Sequence, residues 1–226
     1  MKTEFVKLFI CFLFMPILFL TVFITPSFGA SDGIINKIEA KYQTVHSISA
    51  YFEQKEIIPG YSQNMAFKGY FYYERNDHNG KAYGMAWVYK YPFHKRQVLK
   101  NGRLYIVNNQ IKKVSVINVG KERGGFPPNV VKVIGSLTKY FKVGHVSANA
   151  GTGIITVELK PIATQIAKTI YVGFYKNGFK IKSLKIITHQ GQIIMFNYKN
   201  VKLNGHINGN VFNINFGPSY KIIKEN

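Results

Sequence analysis

Residues 85–92 read Met85-Ala86-Trp87-Val88-Tyr89-Lys90-Tyr91-Pro92, "MAWVYKYP". Large side chains stand at 85, 87, 89 and 91, and smaller or charged ones at 86, 88 and 90. An extended strand sends those two sets to opposite faces. The chain's only Trp lies in the heavy set. The stretch predicts a strand with one aromatic face, and the rest of the sequence has to say what that face covers.

Working outward, "AFKGYFYYER" (66–75) is a second strand. "NDHNGKAYG" (76–84) is a polar turn containing glycine, so the two strands close a hairpin. "SAYFEQKEII" (49–58) reads as a strand before them. Ahead of it, Ile34, Ile35, Ile38, Tyr42, Val45 and Ile48 recur at helical spacing behind Ser31 and Asp32, which suit an N-cap. Downstream, "KRQVLKNGRLYIVNNQIKKVSVI" (95–117) continues the meander, with turns at Asn101-Gly102 and Asn108-Asn109. In "GFPPNVVKVIGSLTKYFKV" (125–143) the rhythm breaks. Pro127 and Pro128 lead into a short helix bearing Val130, Val131, Val133, Ile134 and Leu137. Strands resume at "GIITVELKP", "KTIYVGFYKNGFKIKSLKIIT", "QIIMFNYKNVKL" and "VFNINFGP", with bends at Asn177-Gly178 and Gln190-Gly191.

Helix, strands, helix, strands, with short turns, predicts an α+β fold: one large curved antiparallel sheet with helices against it. Ile155, Val157 and Leu159 share a face, as do Ile170, Val172 and Phe174, and Phe212, Ile214 and Phe216. Lys180, Lys182 and Lys199 stand on the opposite faces. The pattern predicts one apolar sheet face and one basic, wet face.

Residues 1–29 read as a secretory signal peptide, with residues 30–226 as a single domain. Lys2 and Lys7 make a positive start, Leu8 to Ile24 is an apolar run, and Ser27 and Gly29 supply the small residues of a cleavage site. The sole cysteine, Cys11, falls in this leader and away from its junction, which disfavours lipidation there and leaves the remaining chain without disulfide or thiol chemistry. The formal net charge is +20, of which Lys2, Lys7 and Glu4 contribute a single unit. Such a field favours an anionic membrane surface or acidic proteins, and it also describes a solvated outer face. Export argues against nucleic acid.

Enzyme signatures are missing: no G-x-S-x-G, no H-E-x-x-H and no P-loop. After the leader there are two aspartates, Asp32 and Asp77. The carboxylates Glu53, Glu56, Glu74, Glu122 and Glu158 show no spacing that suggests a shared site. The six His are scattered, so neither catalytic residues nor a metal are assigned, and no cofactor is implied. What stands out is aromatic surface, 18 Phe and 15 Tyr, clustered in "YFYY", "WVYKY" and "KYF". Such stripes are commonly core. A strongly bent sheet can instead hold an apolar ligand.

The ordered set of segments resembles the periplasmic outer-membrane lipoprotein carrier family (LolA), and more loosely its outer-membrane receptor relative (LolB). "VHSISAYFEQKEI" is similar to the family's segment after the first helix, and "GYFYYER" to its Gly-x-[FL]-x-x-x-Arg strand. "MAWVYKYP" resembles its aromatic-x-Trp strand, and "VLKNGRLYIVN" its next hairpin. "VIGSLTKYFKV", "VELKP", "FKIKSLKIITHQGQIIMFNYKNVKLN" and "FNINFGP" follow in family order. The resemblance implies an unclosed β-barrel with helices as a lid over a hydrophobic cavity. It implies a carrier that takes acylated lipoproteins from an inner-membrane ABC transporter to an outer-membrane acceptor. Phe52, Phe71, Met85, Trp87, Tyr89, Leu104, Ile106, Val157 and Val172 would line that cavity. Val130, Val131 and Ile134 would sit on the lid, and Arg75 would latch it. A longer loop, "NDHNGKAYG", stands where the family has Pro-Asn-x-aromatic. A related lipid or glycolipid transfer protein carrying free lipid, or a lipid-sensing regulatory module, shares the same expected cavity.

Overall fold

The computed structural model describes residues 30–62, 64–76, 82–118, 130–162 and 167–225. The order is α1 (Ala30–Gln43), β1 (Ser47–Ile57), β2 (Met65–Asn76), β3 (Ala82–Tyr91), β4 (Lys95–Lys100), β5 (Arg103–Asn108) and β6 (Lys113–Asn118). After these come α2 (Val130–Ile134), α3 (Leu137–Tyr140), β7 (Phe141–Asn149), β8 (Ile154–Pro161), β9 (Ala167–Tyr175), β10 (Ile181–Thr188) and β11 (Ile193–Leu203). A 3₁₀ turn (Gly209–Phe212) and β12 (Lys221–Glu225) end the chain.

Twelve strands form one sheet in the order β12-β6-β5-β4-β3-β2-β1-β11-β10-β9-β8-β7. The two outermost strands do not pair with each other, so the sheet is unclosed. The pairings are antiparallel except β12 on β6, which is parallel. The register places the apolar residues of neighbouring strands side by side. Phe71 stands opposite Ala50 and Trp87, Met85 opposite Tyr73 and Leu99, and Val157 opposite Val172. One face thus carries a continuous buried cluster from Leu99 on β4 to Leu159 on β8. α1 adds Ile35, Ile38 and Tyr42 to it, and Val131, Val133, Ile134 and Leu137 join from α2 and α3. Asp32 in the first turn of α1 and Lys41 in its last match the helix dipole. α2 and α3 are five and four residues long, too short to hold on propensity, so packing on the sheet keeps them helical.

Local chemistry sets the turns. Asn101 and Gly102 both take positive φ, 53° and 71°, the I′ geometry that matches strand twist. At Gly69 the strands come so close that an added Cβ would lie 2.2 Å from the Val88 carbonyl oxygen, so no side chain is tolerated there.

The structure departs from the sequence reading in four places. The helical spacing runs through Ile48, yet α1 ends at Gln43. Val45 sits in the connection and Ile48 in β1, both buried in the same core. Ser31 and Asp32 lie within α1 rather than ahead of it. "FKVGHVSAN" is the edge strand β7, and "KIIKE" is β12, neither of which alternates well enough to announce itself. "VFNINFGP" is not a strand of the apolar face. It is a 3₁₀ turn followed by unpaired chain that crosses the outer face. There Phe212 and Ile207 bury Ala86 and Val98, so the outer face is not wholly wet. Gly84 makes room for the Phe212 ring, whose nearest carbon lies 2.8 Å from where a Cβ would be. Ser47 Oγ donates to the Gly205 carbonyl (2.6 Å) and Arg96 Nη2 to that of Asn213 (2.6 Å), fixing this strap.

Candidate functional site

The helix-covered face is the candidate site. Its floor is aromatic. Phe52 is fully buried on β1, edge-on to Tyr89 at 5.3 Å and to Phe196 at 5.9 Å. Phe71 meets Trp87 at 5.3 Å and Tyr198 at 6.3 Å. Met85, Val157 and Val172 are buried in the same cluster, and Trp87, Tyr89 and Leu104 pack on it half-buried. Ile106 shares the face through its pairing with Gln97, and lies beyond the cluster on β5. The nine floor residues named from the sequence therefore share one sheet face, in two groups: a central buried one, and Trp87, Tyr89, Leu104 and Ile106 towards β5.

The cover is tied to the floor and to itself. Val131 and Ile134 of α2 are buried against the cluster. Val130 opens α2, and its side chain lies outside the described residues. Arg75, at the end of β2, reaches the C-terminus of α1: its Nη2 donates to the carbonyls of Val45 (2.9 Å) and Gln43 (3.3 Å). A cation suits this end of α1, where the Gln43 carbonyl has no partner within the helix, and the Val45 carbonyl follows in the connection. Gln43 in turn donates from Nε2 to the Gly135 carbonyl (3.1 Å), just after α2. Glu39 accepts from the Thr138 backbone N–H (2.9 Å) and hydroxyl (3.0 Å) in α3. A Cβ at Gly135 would stand 3.3 Å from the Gln43 nitrogen, so the glycine lets the segments meet. The "NDHNGKAYG" loop thus does not keep Arg75 from the helices, although residues 77–81 themselves lie outside the described residues.

Tyr42 ties the end of α1 to the other half of the sheet. Its hydroxyl accepts from the Ile181 N–H of β10 (3.0 Å), and its ring meets Phe174 edge-on at 5.9 Å. Burial pushes the Tyr42 phenol well above its ordinary range, against a smaller opposing effect of that bond. Burial does the same to Tyr198 and Tyr89.

Sequence reasoning missed a polar notch at the rim of this face. About 90 Å³ in volume, it is lined by Gln54, Glu56, Phe67, Tyr89, Phe93, Lys95 and Gln97. The Tyr89 hydroxyl donates to Gln54 Oε1 (3.1 Å), and Gln54 Nε2 donates to Glu56. Lys95 Nζ sits 5.6 Å from the Tyr89 ring centre. Partial burial lowers the Lys95 ammonium below its usual range, with Glu56 pulling it back. Gln54 was readable, because it continues the inward row 48, 50, 52. Lys95 was not, because its face depends on the register of β3 with β4. A second, larger groove of about 520 Å³ lies on the outer face, floored by Ala66, Met195 and Asn197 and edged by Lys55, Lys68 and Lys185.

Among solved structures, a DUF1329 family protein from Desulfovibrio piger is 8% identical with a TM-score of 0.51, over 81% of this chain and 96% of that one. An uncharacterized conserved protein from Thermus thermophilus is 6% identical with a TM-score of 0.50, over 87% of this chain and all (100%) of that one. At such identities the likeness is one of fold. No curated protein matches the sequence. The family model described as "Outer membrane lipoprotein carrier protein LolA" matches residues 43–215, from the end of α1 to the strap on the outer face. By that match the chain belongs to the LolA family of outer membrane lipoprotein carriers.

Proposed function

We propose that this protein is an exported periplasmic carrier with no catalytic step. Its helix-covered face would take up the acyl chains of lipoproteins released by an inner-membrane ABC transporter, and it would deliver them to an outer-membrane acceptor. The observation that supports this reading is the packing of short helices on one apolar sheet face. One apolar sheet face is overlaid by α1, α2 and α3, and polar bonds at Arg75, Gln43 and Glu39 join those helices.

The driving force is transfer from water: each buried methylene contributes about 0.8 kcal/mol, so a lipid anchor is drawn strongly to such a face. Release requires the opposite. Chains enter by displacing α1 and α2, and the free energy spent on opening keeps affinity moderate. Floor residues Phe52, Phe71, Met85, Trp87, Tyr89, Leu104, Ile106, Val157 and Val172 would contact the chains. Val130, Val131 and Ile134 would move with the cover, and Arg75 would hold it shut.

Incubating the mature chain with lipoprotein-loaded inner-membrane vesicles tests the reading. Acylated lipoprotein is expected in the soluble complex, and Trp87→Glu, which places a charge on the floor, is expected to lose it while keeping its fold. Recovery of free phospholipid or glycolipid alone would replace lipoprotein carriage with lipid transfer. Undiminished loading of Trp87→Glu would remove Trp87 from the site.

A further inference from the structure

The register sorts the connections by end. Ile57 pairs with Ile193, Lys68 with Tyr91, Asn108 with Lys113, and Phe141 with Pro161. The segments that follow β1, β3, β5, β8 and β10 therefore all lie at one end of the sheet. The five most exposed large apolar residues among the described residues are Tyr61 (75%), Ile111 (65%), Ile162 (64%), Tyr91 (58%) and Phe93 (54%). All five lie at that end. Among the described residues at the opposite end, the corresponding one is Tyr175, at 38%. The apolar tips are spread over four separate connections, from β5–β6 across to β8–β9.

The same end is collared with cations. Lys55, Lys90, Lys112, Lys142, Lys168 and Lys221 are exposed close to it. The nearby carboxylates are engaged within the fold. Glu53 pairs with Lys199 at 2.9 Å, Glu158 with Lys160 at 3.5 Å, and Glu56 accepts from Gln54.

We propose that this end of the sheet docks on an anionic bilayer, with the apolar tips seated at the level of the headgroups and the lysines against lipid phosphates. Dispersed tips on separate loops suit a laterally extended, fluid surface better than a single groove-bound peptide. Tyr and Phe rings are at home in the membrane interface, and lysines beside them add attraction that depends on anionic lipid and on salt. The notch at Gln54, Tyr89 and Lys95 opens at this end too, so docking turns the rim of the covered face toward the bilayer. The surface stands independently of the carrier reading, since it requires no cargo.

Co-sedimentation of the mature chain with phosphatidylglycerol-containing vesicles, compared with pure phosphatidylcholine vesicles, tests it. The wild type is expected to bind the anionic vesicles and to release as salt rises. The triple variant Tyr61→Ser, Tyr91→Ser, Phe93→Ser is expected to lose at least ten-fold in affinity, with circular dichroism unchanged. Ile111→Ser, in a separate connection, is expected to weaken binding in the same direction, which keeps the test valid if the triple variant folds poorly. Tyr175→Ser is expected to bind like the wild type. Equal binding to both vesicle types, wild-type affinity in both tip variants, or an equal loss in Tyr175→Ser would overturn the assignment. An acidic soluble protein as the true partner would show as absent vesicle binding.

Discussion

Arg75 does more for the covered face than its position on the outer turn of a hairpin suggests. Its guanidinium holds two carbonyls where α1 ends, beside the Gln43 side chain that reaches the segment after α2. Bonds to a charged donor typically contribute about 1.5–3 kcal/mol when well shielded, and this one is half-exposed. Arg75→Leu is therefore expected to cost about 1–2 kcal/mol in urea unfolding and to speed uptake of an acyl probe. Unchanged stability together with unchanged uptake would show that the helix end is held without it. The position was legible from the "GYFYYER" strand, and its partners were not, because they lie thirty residues upstream and depend on where α1 stops. Gly69 is the reverse case. Its place between Lys68 and Tyr70 reads as an ordinary strand position, and only the closeness of the Val88 carbonyl explains why no Cβ fits.

At the scale of elements, the sheet and its cover differ in what holds them. β1 is paired along its length on both sides, by β2 and β11. α2 and α3 rest on side-chain packing and a few polar bonds. Hydrogen exchange should therefore show amides of α2 and α3 opening well before those of β1, β2 and β11, and Glu39→Ala, which frees Thr138, should widen that gap. Simultaneous exchange of helices and central strands would mean that the cover opens only by global unfolding. The strands at 49–58, 66–75 and 85–91 were readable from period-two alternation, and within 95–117 the alternation agrees with the Asn101-Gly102 turn. β7, β12 and the C-terminal strap were not. Edge strands bury little, so their sequences need not alternate, and the strap alternates apolar residues for the outer face while lacking a ladder partner. Likewise the shared face of the nine floor residues follows from alternation, whereas the notch needs register.

For the whole molecule, buried phenols set an alkaline limit. Tyr42, Tyr89 and Tyr198 have folded pKa values raised above the ordinary 10.0 by burial. The fold therefore holds these protons more tightly than the unfolded chain. Their contribution to stability is fully present below about pH 10 and is lost as pH rises beyond it. Alkaline titration should show a late fraction of phenolate absorbance that appears together with loss of sheet signal. Complete tyrosine ionisation near pH 10 with the sheet intact would contradict the burial of these rings. The charge of +20 acts at the same scale, as a long-range field that raises encounter rates with anionic surfaces and weakens with salt.

Trp87 reports directly on the proposed occupation of the face beneath α1 and α2 by acyl chains. It is the only Trp in the chain, half-buried against Phe71 on that face. Titrating residues 30–226 with a diacylated peptide bearing a quencher on its acyl chain should quench Trp87 saturably, and the unacylated peptide should not. Emission unchanged through a range in which the acylated peptide demonstrably binds would place the cargo elsewhere and contradict the claim.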